Sequence, residues 1–373
     1  MRSSPKQTAR VGSPRQRHWG LVVLYVALVV YASLYPWTGW RDQGGNGWIV
    51  LLQPLPRYWS GFDVGINLAG YVPLGWLVAV SSRGRAPWWA TFAVVSVIIS
   101  LLSFGMETLQ QFVPDRVPSM LDWCLNTMGG MVGAALAWMM HRAGWLDHMS
   151  RMRDQWLRDD AGLGLYLMIA WPAALLFPSS VVLGLGQVAE RLHRYLLTND
   201  VDESWADWLP ELSMWDGVGL SPAAEVVVVT IGLWLPMMLA HSIIKGPARR
   251  WASVAAVAAL GWAVCSLSAA LSYGPTHAWV WWDTATQTGW LVAIALGLLT
   301  APLPHRALWA LSLVAGLCGL ALVNQVPGNG YLVYNLVAWE QGQFVRFNGL
   351  AQWVGWLWPY IALAHVFFRL VRE

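Results

Sequence analysis

The feature that most constrains this chain is the recurrence, from one end to the other, of apolar runs about 20 residues long. A hydrocarbon core about 30 Å thick is crossed by a helix of that length, whereas an open strand leaves its backbone groups unpaired in lipid. The ruler predicts spans at 19–37, 63–81, 88–108, 121–141, 162–184, 221–243, 250–271, 285–302, 307–325 and 350–369. The eighth is short because Pro302 and Pro304 end it. Composition agrees, since 57% hydrophobic against 12% charged residues leaves too little polar surface to cover a water-soluble globule. Many of the 28 Trp, among them Trp19, Trp37, Trp88, Trp89, Trp279, Trp281 and Trp282, flank the runs, where amphipathic rings settle at headgroup level. The expected fold is all-α: a polytopic helical membrane protein of about ten transmembrane helices.

Lys and Arg set the orientation, because positive charge is retained on the cytoplasmic side. With the N-terminus inside, 17 of the 23 basic residues are cytoplasmic, and Arg41, Arg57, Arg116, Arg191, Arg194 and Arg346 are outside. Both termini are then cytoplasmic. The basic segment before Trp19 resembles a signal sequence, but no small-x-small cleavage site follows, so it reads as a tail on an uncleaved first helix. The organisation expected is a tail (1–18), a four-span domain (19–142), an amphipathic cytoplasmic linker (143–161) and a six-span domain (162–373) with outer loops at 187–220 and 326–349. The linker's mixture of Trp, Leu, Met and both charges suits a helix lying on the membrane surface. The net charge of +3 does not indicate a nucleic-acid partner. Cys124, Cys265 and Cys318 lie singly in apolar runs, as packing residues without a disulfide or metal pattern.

Polar groups within spans are costly, and the first four spans carry an ordered set. Asp63 and Asn67 share a face of the second span with Gly70 and Leu74, and Pro73 bends it. Ser96, Ser100, Ser103, Glu107 and Gln110 form a small-and-polar stripe along the third, suited to packing on helices rather than lipid. Asp122, Asn126, Gly129 and Gly133 share a face of the fourth, the two glycines forming a GxxxG close-packing element. Arg116 lies in the turn between. The orientation puts Asp63, Glu107, Arg116 and Asp122 at the outer ends of their helices; six polar groups on three helices exceed what capping requires, which favours one outward-facing pocket over caps and interhelical ties.

The order D63xxxN67 with YVPLG, then E107xxQ110Q111, then P114xR116xPS119xxD122xxxN126xxG129xxxG133, resembles the VanZ-like family, named for a protein associated with teicoplanin resistance. The resemblance covers about residues 19–142. The segment around Asp63 departs from the charged Asp-Lys and His forms of some members, so correspondence is closer at Glu107, Arg116, Asp122 and Asn126. It implies a bacterial inner-membrane protein of the cell envelope, with lipid-linked glycans or related precursors as ligands and a link to antibiotic resistance. The six later spans lie outside it. Of their polar groups, Glu225, Asp283, Glu340, Arg346 and Asn348 are read as caps and interfacial anchors as readily as ligand contacts, and His277 as a hydrogen-bonded interfacial residue rather than a metal ligand.

No hydrolase, zinc-peptidase, Walker or dinucleotide pattern occurs in a confirming context, so the sequence identifies no reaction, cofactor or metal. Three functions are expected from the residues. The first is binding or remodelling of a lipid-linked precursor at the outer leaflet, with Arg116 on phosphate and Asn126, Gln110, Gln111, Asp63 and Asn67 as further contacts. The second is an enzyme in which Glu107 or Asp122 is general base or metal ligand. The third is a lipid or solute transporter, disfavoured by the nearly charge-free middles of the spans and the lack of an internal repeat.

Overall fold

The computed structural model describes residues 14–34, 37, 39–42, 61–82, 87–114, 116–177, 179–198, 220–273, 275–325 and 345–372. The side chains of Asp63, Arg346 and Asn348, Glu340, and most of the two outer loops lie outside the described residues. The fold is all-helical: α1 (Pro14–Leu34), α2 (Gly61–Ser81), α3 (Trp88–Gln110), α4 (Met120–Arg142), α5 (Trp145–Trp156), α6 (Gly162–Leu175), α7 (Ala189–Thr198), α8 (Pro222–Ile243), α9 (Pro247–Tyr273), α10 (Thr284–Thr300), α11 (His305–Val323) and α12 (Val345–Arg372). Among the described residues there is no strand, only an isolated pairing of Leu157 with Ile244.

Six helices, α2, α3, α8, α9, α11 and α12, are long and apolar enough to cross a membrane. The apolar parts of α1, α6 and α10 are shorter. α4 has the length, 23 residues, but Asp122, Asn126 and three glycines dilute its apolar content. The largest departure from the expected spans is at 162–184, where α6 stops at Leu175 after 14 residues, a rise of about 21 Å. Hydropathy continues through 176–186, but the described residues there, 176–177 and 179–186, form no helix. The chain forms two compact units, Met1–Ser150 and Arg151–Glu373.

In the first unit, Leu74 and Val78 of α2, Val95 and Ile99 of α3, and Ala134 and Ala137 of α4 form the core, with Val22 and Val29 of α1. The tightest seam joins α2 to α4. A Cβ on Gly129 would stand 2.1 Å from the Leu68 carbonyl oxygen, one on Gly133 2.1 Å from that of Val72, and one on Gly75 2.0 Å from that of Gly130. These contacts are with backbone, which cannot swing aside as a flexible side chain would. Cys124 and Cys318 are exposed on α4 and α11 rather than buried, and Cys265 is half-buried. An outward helix face against lipid tolerates a small apolar thiol as well as a core does.

The second unit is built around α8, whose residues from Leu233 to Ile243 are almost all buried. Leu233, Met237 and Met238 pack with Trp171 of α6 and Leu308 and Trp309 of α11. The irregular segment after α6 is held inside this core by polar ties. The Asn324 amide oxygen accepts from Val188 N–H and Ala189 N–H, both at 2.9 Å, and so caps the start of α7. Its amide nitrogen and the Tyr360 hydroxyl both donate to the Gly186 carbonyl, at 3.1 and 3.0 Å. Leu183 adopts φ 62°, a left-handed conformation that costs a leucine about 1–2 kcal/mol. Its carbonyl lies where a Cβ on Gly232 would come within 2.5 Å.

The chain after α5 is pinned to the second unit. Arg158 N–H donates to the Ile243 carbonyl at 2.9 Å, and Lys245 N–H to that of Trp156 at 2.7 Å. The Arg158 guanidinium grips Asp160 through two bonds of 3.0 and 3.2 Å, and Arg369 of α12 also donates to Asp160. Basic residues near 245–250 are expected from the sequence to serve orientation alone. The structure corrects this at Arg250, which is buried because α9 begins at Pro247 and turns the side chain inward. Its guanidinium donates to the carbonyls of Ile244, Ala301 and Leu303 and meets His305 Nε2 at 3.1 Å, so one cation closes the ends of α8 and α10.

Gly133→Ala must push α2 away from α4 and should lower stability by about 1–3 kcal/mol, read as a fall in the tryptophan-fluorescence melting temperature. Asp160 is held well below the usual carboxylate range, first by its hydrogen bonds from Arg158 and then by Arg369. A depressed folded-state pKa gives stability that is complete above the unfolded value of about 4 and declines as pH falls through the interval below it. The difference in melting temperature between wild type and Asp160→Asn should therefore be constant from pH 5 to 7 and shrink below about pH 4.

Candidate functional site

The inward face of α3 changes character along its length, from Val95 and Ile99 to Ser103, Met106, Glu107 and Gln110. The polar end faces the start of α4, the end of α1 and the middle of α2. Each helix end leaves backbone groups that need partners, and the side chains of α3 and of the following turn supply them.

Glu107, 3% exposed, accepts from Ser119 N–H through Oε2 at 2.9 Å. Ser119 is the N-cap of α4, and its hydroxyl accepts from Leu121 N–H at 3.2 Å. Asp122 sits in the first turn of α4, and both it and Arg116 lie within electrostatic reach of Glu107. At the opposite polarity, Gln110 donates to the Ser33 carbonyl and Arg116 Nη2 to the Ala32 carbonyl, each at 3.0 Å. Those two carbonyls belong to the last turn of α1, where the helix dipole favours a cation. Arg116 is half-buried.

Deeper in the unit, Asn126 Nδ2 donates to Ser103 Oγ at 3.0 Å. Trp123 Nε1 donates to both the carbonyl and the hydroxyl of Ser100 at 3.1 Å. Tyr71 of α2 completes this layer. Its hydroxyl lies beside the Ser33 and Ser103 hydroxyls but makes no hydrogen bond of ordinary geometry with either, and Glu107 is near enough to act on it electrostatically. Tyr25 of α1 donates to the Gly70 carbonyl at 2.8 Å, tying α1 to the same stretch of α2.

The structure thus brings Glu107, Gln110, Arg116, Asp122 and Asn126 together. Ser100 and Ser103 carry interhelical bonds, whereas Ser96 bonds back to the Phe92 carbonyl of its own helix at 2.9 Å. Gln111 is buried at the C-cap of α3, and Asn67 is half-buried on α2. Tyr71 is the residue that sequence reasoning passed over, although it falls one turn after Asn67 on the same face and begins the YVPLG stretch. In the second unit, Asp283 caps α10 by accepting from Thr286 N–H at 2.8 Å, and Glu225 in the first turn of α8 lies within its electrostatic reach. His277 is exposed beside Thr276. Among the described residues no three His, Cys, Asp or Glu side chains converge to hold a metal ion.

Residues 19–141 match the family model VanZ/LLP1. They form a VanZ-like domain. It contains α1 from Trp19 onward, α2, α3 and α4 up to His141, and with them every member of the cluster just described. Comparison with curated proteins and with solved structures gave no match. The further apolar helices of the second unit lie outside the VanZ-like domain.

The capping role of Glu107 is testable by itself. Glu107→Ala strands Ser119 N–H in a half-buried place and should cost about 1–3 kcal/mol. Glu107→Gln retains an acceptor oxygen and should recover most of that loss, with thermal unfolding of the purified protein as the measurement.

Proposed function

We propose that this chain is a multi-pass protein of the bacterial inner membrane whose VanZ-like domain binds the phosphate-bearing end of a lipid-linked envelope precursor at the outer leaflet. The observation that carries this reading is the half-buried Arg116 guanidinium, set at the junction of three helices beside Glu107 and Asp122. A guanidinium presents paired donors that match phosphate, and carboxylates beside it fix its orientation and accept from sugar hydroxyls. Asn126, Gln110, Gln111, Asp63 and Asn67 are the further contacts of this reading. The topology that goes with it has ten spans, both termini in the cytoplasm and α5 lying on the cytoplasmic surface with Trp145, Met149, Met152 and Trp156 toward lipid. Glycopeptide susceptibility is the cellular trait it would alter.

One observation favours transport as a second reading: α6 is cut short and irregular backbone follows within the second unit, as in the broken helices of transporters. Binding of a polyprenyl phosphate to the full chain in nanodiscs separates the readings. Arg116→Ala should weaken it at least about tenfold, some 1.4 kcal/mol, and Arg116→Lys should recover only part, having the charge without the fork. Wild-type binding by a folded Arg116→Ala protein overturns the proposal. Movement of the lipid between leaflets of reconstituted vesicles makes transport the better description.

A further inference from the structure

Cations gather around one exposed indole at the end of α5. Lys245 donates twice there, from its N–H to the Trp156 carbonyl and from Nζ to that of Asp154, both at 2.7 Å. Arg249 donates through Nη1 to the Gln155 carbonyl, and its guanidinium carbon stands 5.6 Å from the centre of the Trp156 ring. These bonds cap the helix, whose C-terminal dipole favours a cation. Capping explains why the two side chains are here, but not why the surface beside them is apolar. Trp156 is 37% and Met152 43% exposed, one turn apart on a helix that buries none of its residues. Asp154, two residues from each, falls on the opposite side.

The acids nearby do not neutralise this face. Asp154 meets Arg153 at 3.6 Å and Asp159 meets Lys245 at 3.9 Å, both as exposed pairs, which are worth little in water. Among the described residues no carboxylate pairs with Arg249. The surface also lies at a membrane boundary, because α8 ends at Ile243, α9 begins at Pro247, and both are long and apolar enough to cross. Trp251 of α9, 48% exposed, donates to the Leu298 carbonyl near the end of α10, an indole placed as in a headgroup belt. At that level an exposed apolar face meets hydrocarbon, and the guanidinium and ammonium groups beside it meet phosphate.

We propose that Met152, Trp156, Lys245 and Arg249 form a docking surface for anionic phospholipid headgroups, in the leaflet where α8 ends and α9 begins. All four belong to the second unit, so the surface does not rest on the reading given to Arg116.

Lipid that binds only the folded state stabilises it. The full chain should therefore unfold several degrees higher in nanodiscs of phosphatidylcholine with phosphatidylglycerol than in phosphatidylcholine alone, and salt should shrink the difference by screening. The two caps act in either lipid, so the difference between lipids is the quantity to read. Arg249→Gln combined with Lys245→Gln should remove most of it, Trp156→Ala part of it, and Arg249→Lys, which keeps the charge, little. Arg306→Gln, at an exposed cation of α11, should leave it unchanged. Equal unfolding in the two lipids overturns the proposal, as does a difference that survives in the double variant. An equal loss in Arg306→Gln overturns it in favour of a diffuse charge effect, and the same gain from inorganic phosphate in phosphatidylcholine overturns it in favour of a free anion. A lipid-independent dimer broken by Trp156→Ala overturns it in favour of a second copy on this face. Arg116→Ala separates the two proposals: it should weaken polyprenyl phosphate binding and retain the response to phosphatidylglycerol.

Discussion

A helix that ends inside a protein leaves several N–H or C=O groups without helical partners, and in a membrane protein little water is at hand to take them. Much of what is specific in this structure answers that constraint. Glu107 accepts from the N-cap of α4, Gln110 and Arg116 donate to the last turn of α1, Asn324 caps α7, and Arg250 gathers the ends of α8 and α10. Glu107 and Arg250 are placed where backbone groups at helix ends need them, which explains how a chain with so few charges keeps these two buried.

The same constraint explains why the candidate site lies where it does. Three helix ends meet near residues 32–34, 107–110 and 116–122, and serving them requires side chains of both signs in a small volume. Capping involves Glu107 Oε2 and Arg116 Nη2, and the same two groups also act on each other electrostatically. A cluster assembled for structural reasons is therefore also the place where opposite charges stand together, and that is the part able to serve chemistry. Tyr71 and Asn126 differ from the others in serving no helix end.

Much of this was legible in the sequence, and the failures have physical causes. Periodicity placed Ser103, Glu107 and Gln110 on one face and Asp122 with Asn126 on another, because helical spacing is local information. Hydropathy overextended α6, since Val181 and Leu183 are buried whether or not they are helical, and only Pro178 with Gly184 and Gly186 signals the break. Arg250 was read as a topological charge because its acceptors come from residues about fifty positions away. Tyr71 escaped for a similar reason: in a chain rich in interfacial aromatics, one buried phenol is distinguishable only once Ser33 and Ser103 are seen beside it.

The glycine seam between α2 and α4 has a consequence for access to the cluster. Where a single added carbon would stand about 2 Å from a carbonyl oxygen, two helices touch backbone to backbone and have no side-chain layer on which to slide. α2 and α4 therefore move as one piece. α1 is held differently, by apolar side chains and by separable hydrogen bonds, among them those of Tyr25, Gln110 and Arg116. α1 is thus the more separable wall of the cluster, since its polar ties are side-chain bonds that can break one at a time.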